Sequence, residues 1–407
     1  MLLKSEIEKA VKAQQLNFSK KSSGLERAQL SNVKLSANYV LIITGIRRCG
    51  KSTLMHQLRQ QLEESQSLGY FNFEDPRIFG FEKSDFQKLD EVLGAKTKYY
   101  FFDEIQNVEG WEVFIRYLND QKKLICVTGS NASLLSKELG TKLSGRHIQV
   151  ELFPFSFIEY CQFKKKKPNH LAFVKYMQEG GFPDYLKIKQ KEYLQQLLKD
   201  LVYRDIIVRH GIRNDKLVMD ISLFLLSNVG KEYSLNNIKK FFGVGSTNSV
   251  MDYVKWLEDA YLLFSVPRFS WSLKKRAVNP KKVYCIDPAF AQANSLSFSE
   301  DKGRLLENII FLELRRIQKE IFYFREKGEC DFVIKEKNKV TSVLQVCLDV
   351  NIENKDREVN GLLEAMDTFN LKKGTIVTLN QADRLKIADK EVKLIPAYEW
   401  IKDWFNG

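Results

Sequence analysis

The chain has 407 residues, 44% of them hydrophobic and 28% charged, which is enough for two or three domains that each bury an apolar core. Lys and Arg total 64 against 51 Asp and Glu, a formal charge of +13 that favours polyanionic partners without separating DNA from RNA. No apolar run approaches the ~20 residues of a membrane-spanning helix, and the four scattered histidines and six cysteines, with no C-x-x-C pair, support neither a zinc site nor a histidine triad.

The start, Met1-Leu2-Leu3-Lys4-Ser5-Glu6, places acids where a secretory leader needs an apolar stretch, so a cytoplasmic protein with buried, reduced thiols is expected. The first strong element is Tyr39–Thr44, a β-branched run that reads as a buried strand. It leads into Gly45-Ile46-Arg47-Arg48-Cys49-Gly50-Lys51-Ser52 and a helical stretch beginning at Thr53. This is G-x-x-x-x-G-K-S in its strand–loop–helix setting. The glycines let the loop curl around phosphates, and its N–H groups with the helix start supply positive potential. Lys51 reaches the β- and γ-phosphates, and Ser52 offers a hydroxyl to Mg²⁺. ATP and Mg²⁺ are the expected cofactors, held by Gly45 to Thr53.

A second buried strand, Tyr99–Phe102, ends in Asp103 and Glu104 and reads as a Walker B element: Asp103 for Mg²⁺ through water, Glu104 to orient the attacking water. A third, Leu124–Thr128, runs into Ser130 and Asn131, placed to sense the γ-phosphate. Leu143-Ser144-Gly145-Arg146 sets an arginine before the strand His147–Glu151, where it acts either as a finger on a neighbouring subunit's ATP or as a plain surface arginine. The expected catalytic set is Lys51, Glu104 and Arg146.

At this point the sequence resembles a family of prokaryotic AAA-type P-loop ATPases that carry a C-terminal restriction-endonuclease-like domain of uncharacterised function. The resemblance rests on Gly45–Leu54, Tyr70–Pro76, Phe102–Gln106, Thr128–Asn131, Leu143–Arg146, Leu152–Phe157, Gly180–Asp184, Leu306–Asn308 and Asp331–Phe332, in that order along nearly the whole chain. It implies an AAA+ core that works as a homo-oligomeric ring, a hexamer among the options.

After Phe153-Pro154-Phe155 the pattern is helical to about residue 225. Gly180-Gly181 marks a turn, and Leu194, Leu197, Leu198 and Leu201 form an amphipathic stripe. Tyr233–Phe242, the turn Gly243–Gly245 and Ser246–Leu257 read as helix–turn–helix, with Ser246 as N-cap. Tyr261–Val266 and Val283–Ile286 would add the β-wing of a winged helix. Between Lys231 and Lys282 ten side chains are basic and four acidic, which makes Lys274, Lys275, Arg276, Lys281 and Lys282 the candidates for nucleic-acid backbone contacts. The same fold also serves as a protein-docking module.

From Gly303 the order is helix, three strands, helix, strand, which resembles the restriction-endonuclease-like core. That resemblance implies two carboxylates for Mg²⁺ and a lysine for the charged transition state. Glu307, Asp331 and Gln345 fall at the positions of its helix acid, its strand Asp and the first residue of its (E/Q)-x-K, but Cys347 stands at the lysine position, with Lys335 and Lys355 as substitutes from elsewhere. A degenerate site retained for binding is the expectation.

The fold class expected is thus α/β: a P-loop AAA+ core with a parallel sheet (1–155), a helical lid (156–225), a winged helix (226–295) and a C-terminal restriction-endonuclease-like α/β domain (296–407). The expected function is ATP hydrolysis coupled to DNA remodelling or translocation. A protein-remodelling or signalling switch in defence or stress is the alternative, and an ATP-gated nuclease a third. DNA and a second copy of the chain are the expected partners, a protein partner stays open, and no membrane is expected.

Overall fold

The computed structural model of the chain describes residues 1–62, 67–131, 145–296, 301–317 and 319–406. Two compact units emerge: Met1–Phe153 with Asp259–Tyr261, and Pro154–Glu258 with Leu262–Gly407.

The first unit is a five-stranded sheet in the order β2-β3-β4-β1-β5, formed by β1 (Val40–Thr44), β2 (Leu68–Asn72), β3 (Tyr99–Asp103), β4 (Leu124–Gly129) and β5 (His147–Glu151). Every pairing is parallel. The strands β1 and β3 are buried at all five positions, which is why they read as unbroken apolar runs rather than alternating ones. Helices α1 (Lys4–Lys20), α2 (Lys51–Gln60), α3 (Asp85–Leu93) and α4 (Trp111–Asp120) accompany the sheet. Only one stripe of α1 is buried, Ile7, Ala10, Val11, Gln14 and Phe18, and part of it joins Phe71, Phe73, Phe102 and Phe114 in one apolar core. The ring of Phe18 stacks on Tyr70 at 3.9 Å between centroids, tying α1 to β2.

Parallel strands carry their C-terminal ends on one edge of a sheet. The register pairs Phe102 with Val127, and Cys126 to Gly129 with Leu41 to Thr44, so Gly45, Asp103 and Ser130 follow from neighbouring strand ends. Such an edge is the ordinary ligand site of an open α/β sheet.

The second unit begins with helices Phe157–Phe163, His170–Glu179, Lys191–Asp200 and Asp215–Leu226. Helices α5 (Leu235–Phe242) and α6 (Thr247–Asp259) follow, joined by a turn in which Ser246 Oγ accepts from Ser249 N–H, so Ser246 caps α6 as its position suggests. Strands β6 (Glu232–Tyr233), β7 (Leu263–Pro267) and β8 (Lys281–Cys285) form an antiparallel sheet with β8 central.

The C-terminal part is a six-stranded mixed sheet in the order β13-β14-β12-β11-β10-β9, from β9 (Glu320–Arg325), β10 (Glu329–Glu336), β11 (Lys339–Val346), β12 (Lys373–Thr378), β13 (Asp383–Ile387) and β14 (Lys390–Pro396). Helix α7 (Lys302–Arg316) precedes it and α8 (Lys355–Thr368) packs on β10 and β11. The approach of α8 depends on Gly361, where a Cβ would lie 2.1 Å from the carbonyl oxygen of Glu329. The final β13–β14 hairpin goes beyond the order read from the sequence. Among the described residues no helix is long and apolar enough to cross a membrane, and all six cysteines are buried and free.

Candidate functional site

Strand β1 delivers the chain into Gly45, whose φ is +151° and whose absent Cβ would sit 2.1 Å from the carbonyl oxygen of Leu152. Any side chain there would expel the loop from the sheet edge. Gly50 closes the loop at φ +103°, and Arg48 takes a left-handed φ of +67° that a non-glycine residue adopts only under constraint. Lys51 then opens α2, so the loop's amides and the start of a ten-residue helix face the same place.

The ammonium of Lys51 is buried. It donates to the carbonyl oxygens of Gly45 (3.1 Å) and Ile46 (3.3 Å), and lies 3.3 Å from a carboxylate oxygen of Glu104. Burial disfavours its charge, but Glu104, Cys49 and Asp103 outweigh that and hold its pKa above the usual lysine value. Burial also pushes Glu104 up, and the charges of Lys51 and Arg47 more than reverse this, so Glu104 stays ionised at neutral pH. Asp103 moves the other way: burial, reinforced by Glu104, raises it despite hydrogen bonds from Ser52 and Thr128.

Residues not signalled by the motifs complete the site. Thr128 Oγ1 donates to Asp103 Oδ1 and accepts from the N–H of Glu104 at 3.0 Å, so one hydroxyl sets both acids. Tyr70 OH donates to Asp103 Oδ2 at 3.3 Å. Gln106 Nε2 holds Glu104 Oε2 at 2.5 Å and reaches Ser130 Oγ at 3.4 Å. Beneath the loop the buried Arg27 donates to the carbonyl oxygens of Cys49 and Phe153, each at 2.8 Å. Tyr261, at φ +59° and fully buried, donates to Thr44 Oγ1 at 2.7 Å. Only chain folding brings these together; Tyr261 is 217 residues from Thr44.

Of the sequence-derived candidates, Gly45 to Thr53, Asp103, Glu104 and Ser130 lie at this edge, with Asn131 buried directly after Ser130. Arg47 is paired to Glu74 at 2.7 Å, while Arg48 is exposed. Arg146 is exposed and paired to Asp120 at 2.8 Å; Leu143 and Ser144 of its motif lie outside the described residues. A Mg²⁺ ion bound with a nucleotide asks the protein for one or two oxygen ligands, and the hydrogen-bonded pair of Ser52 and Asp103 fits that demand. The raised pKa of Asp103 is the mark of a buried carboxylate whose local cations do not fully offset its burial.

A model described as an AAA domain matches residues 37–161, and one described as a domain of unknown function matches residues 170–301. An uncharacterised protein of Methanocaldococcus jannaschii is 35% identical across 95% of this chain and 92% of its own length. This chain belongs to the same family. An uncharacterised protein of Haemophilus influenzae is 28% identical across 89% of this chain and 94% of its own. The AMPPCP-bound DnaA of Aquifex aeolicus is 13% identical over 61% of this chain and 88% of that one, at a TM-score of 0.26, too low to carry an argument. With the AAA match, the parallel five-stranded sheet is a P-loop AAA+ core, to which helical and β domains are added. The match supports an ATP-hydrolysing AAA-type protein.

In the second unit, Lys274 and Lys275 are exposed and Lys281 is half-buried. Arg276 folds back over the ring of Phe322, 4.8 Å from its centroid. Lys282 must be removed from the nucleic-acid contacts expected of it: it is buried, and its ammonium pairs with Glu307, Glu329 and Asp331, so it presents no charge to a phosphate in solvent. Strand alternation separates it from its neighbour Lys281. Glu307, Asp331 and Gln345 do come together, with Gln345 Oε1 accepting from Asp331 N–H at 3.1 Å. Neither Lys335, paired to Glu320, nor the exposed Lys355 is among the cations that pair with these acids.

Proposed function

We propose that the first unit binds and hydrolyses ATP with Mg²⁺, and that hydrolysis drives the remodelling or translocation of DNA. The observation that carries the ATPase reading is the 3.3 Å approach of Lys51 to Glu104, beside an Asp103 hydrogen-bonded to Thr128 and Tyr70. Loop lysine, hydroxyl, metal-type acid and base-type acid meet at one edge of the sheet. Phosphate oxygens would take the ammonium of Lys51 from the carbonyls of Gly45 and Ile46. Ser52 and Asp103 would hold Mg²⁺, which neutralises charge on the phosphates. Glu104, ionised and steered by Gln106, accepts the proton of the attacking water, while Ser130 and Asn131 lie where the γ-phosphate is sensed. Arg146, on the surface, is assigned to the ATP of a neighbouring copy in a homo-oligomeric ring.

The second unit is read as a helical lid, a winged helix and a restriction-endonuclease-like domain that engage the partner, in a cytoplasmic protein. Exposed Lys274 and Lys275 in the β7–β8 connection support DNA. A protein partner is the second reading, favoured by Trp271, Leu273 and Val278 on that same connection, which are 65%, 77% and 73% exposed. The test is ATP turnover with and without duplex, single-stranded and branched DNA at low and moderate salt, with Glu104→Gln as control. Salt-sensitive stimulation by one DNA form supports the DNA reading; turnover indifferent to DNA, with no binding, moves the assignment to a protein switch.

A further inference from the structure

Three carboxylate oxygens in the second unit converge on one point. Glu307 Oε1, Glu329 Oε1 and Asp331 Oδ1 lie 3.0, 2.7 and 2.8 Å from Lys282 Nζ, which accounts for all three donors of the ammonium. Lys282 is set from both sides of its strand, by pairing with Glu232 on β6 and Val266 on β7, and its side chain is 3% exposed. The rest of the cluster is equally engaged. Tyr284 OH donates to Glu307 at 2.6 Å, and Val346 N–H to the second oxygen of Asp331 at 2.9 Å. The amide oxygen of Gln345 is spent on Asp331 N–H and its nitrogen on Glu358 at 2.7 Å.

This arrangement disagrees with the Mg²⁺ site that the restriction-endonuclease resemblance implies. An ion bound between Glu307 and Asp331 needs oxygen ligands at ~2.0–2.1 Å around the place the ammonium fills, and a desolvated lysine beside it would repel it. Among the described residues no cluster of three or more His, Cys, Asp or Glu is arranged to hold a metal, so an ion admitted here would rest on the pair Glu307 and Asp331 with water completing its shell. The acids are nevertheless within reach of solvent ions: Glu307, Glu329, Asp331 and Gln345 line a cleft of about 1520 Å³.

We infer that Lys282 is a tethered cation standing in the place of a divalent ion, so that the C-terminal cleft binds no metal at Glu307 and Asp331, and that removing the ammonium uncovers a divalent-ion site there. The lysine missing at Cys347 has thus not been supplied for cleavage; a lysine from β8 instead closes the acidic pair. This inference is independent of the ATPase assignment.

The test counts Mn²⁺ bound to the nucleotide-free full chain at pH 7.5 by electron paramagnetic resonance, in the wild type, Asp331→Asn, Lys282→Gln and the double variant. Wild type and Asp331→Asn should give superimposable titrations. Lys282→Gln should gain one ion per chain, bound at least about tenfold more tightly than any ion of the wild type, and the double variant should lose it. An Asp331-dependent ion in the wild type, or no gain in folded Lys282→Gln, overturns the inference. If Lys282→Gln unfolds in buffer because its acids are left unpaired, Mn²⁺ should restore its melting transition only when Asp331 is present. Failure of that rescue overturns it equally.

Discussion

Replacing Thr128 by Val changes one hydroxyl into a methyl of nearly the same volume at a position with no solvent exposure, and so isolates what that hydroxyl does. Two interactions are lost. The bond to the buried carboxylate of Asp103 involves a charged acceptor, worth roughly 1.5–3 kcal/mol, and the N–H of Glu104 is left without its partner, a further ~1–3 kcal/mol. Because both share one group they do not add fully, and a loss of about 2–4 kcal/mol is expected. For a unit of this size that lowers Tm by roughly 5–15 °C. Asp103 also loses a bond that favours its ionised form, so its affinity for Mg²⁺ falls. Turnover should drop ~10–100-fold, with a higher Mg²⁺ concentration needed for half-maximal rate, whereas Thr128→Ser keeps both. Calorimetry and a Mg²⁺ titration of steady-state ATPase read these out. A Thr128→Val protein with unchanged Tm and Mg²⁺ requirement refutes the idea that this hydroxyl orders the two acids.

Lys51→Ala removes the cation assigned to the phosphates and should weaken nucleotide binding roughly tenfold or more, read by fluorescent-nucleotide titration. Burial, with Asp331 adding to it, lifts Glu307 from 4.5 to about 7. A raised carboxyl stabilises the fold fully below its unfolded pKa and loses that contribution as pH rises to the folded one. Tm should therefore fall between about pH 4.5 and 7, by the equivalent of roughly 2–3 kcal/mol, and Glu307→Gln should flatten that slope. On the DNA reading, reversing two charges together, Lys274→Glu with Lys275→Glu, should weaken binding to DNA and reduce the dependence of log K on log salt by about 2, measured by anisotropy across salt concentrations.

The nucleotide loop was legible because its chemistry is contiguous: strand, glycines, lysine and hydroxyl lie within fourteen residues, Tyr39 to Ser52, and each type is dictated by backbone geometry or charge. The groups that hold it were not. Thr128 sets Asp103 only because β4 lies between β3 and β1, and Arg27 and Tyr261 reach the loop through tertiary contacts with no spacing to read. Helix α1 hides in composition, since lysines and acids outnumber its single buried stripe of five residues. The β13–β14 hairpin hides similarly: on the edge strand β13, Arg384 pairs with Lys393 and Lys386 with Glu391, a charged pattern that suits an edge strand and resembles a loop.

The Lys281–Lys282 pair shows where charge counting stops. Two adjacent identical residues contribute equally to a basic segment, yet one is half-buried at the surface while its neighbour, on the other face of the strand, is locked among three acids. Composition assigns both to a phosphate surface; the period of the strand withdraws one.

Whether Lys51, Asp103 and Glu104 act as one hydrolytic site is decided by single-turnover phosphate release from pre-bound MgATP, comparing the wild type with Glu104→Gln. The wild type should release phosphate, and Glu104→Gln should retain ATP while releasing phosphate at least ~100-fold more slowly. Equal release by the two proteins, with ATP bound equally well, would contradict that assignment.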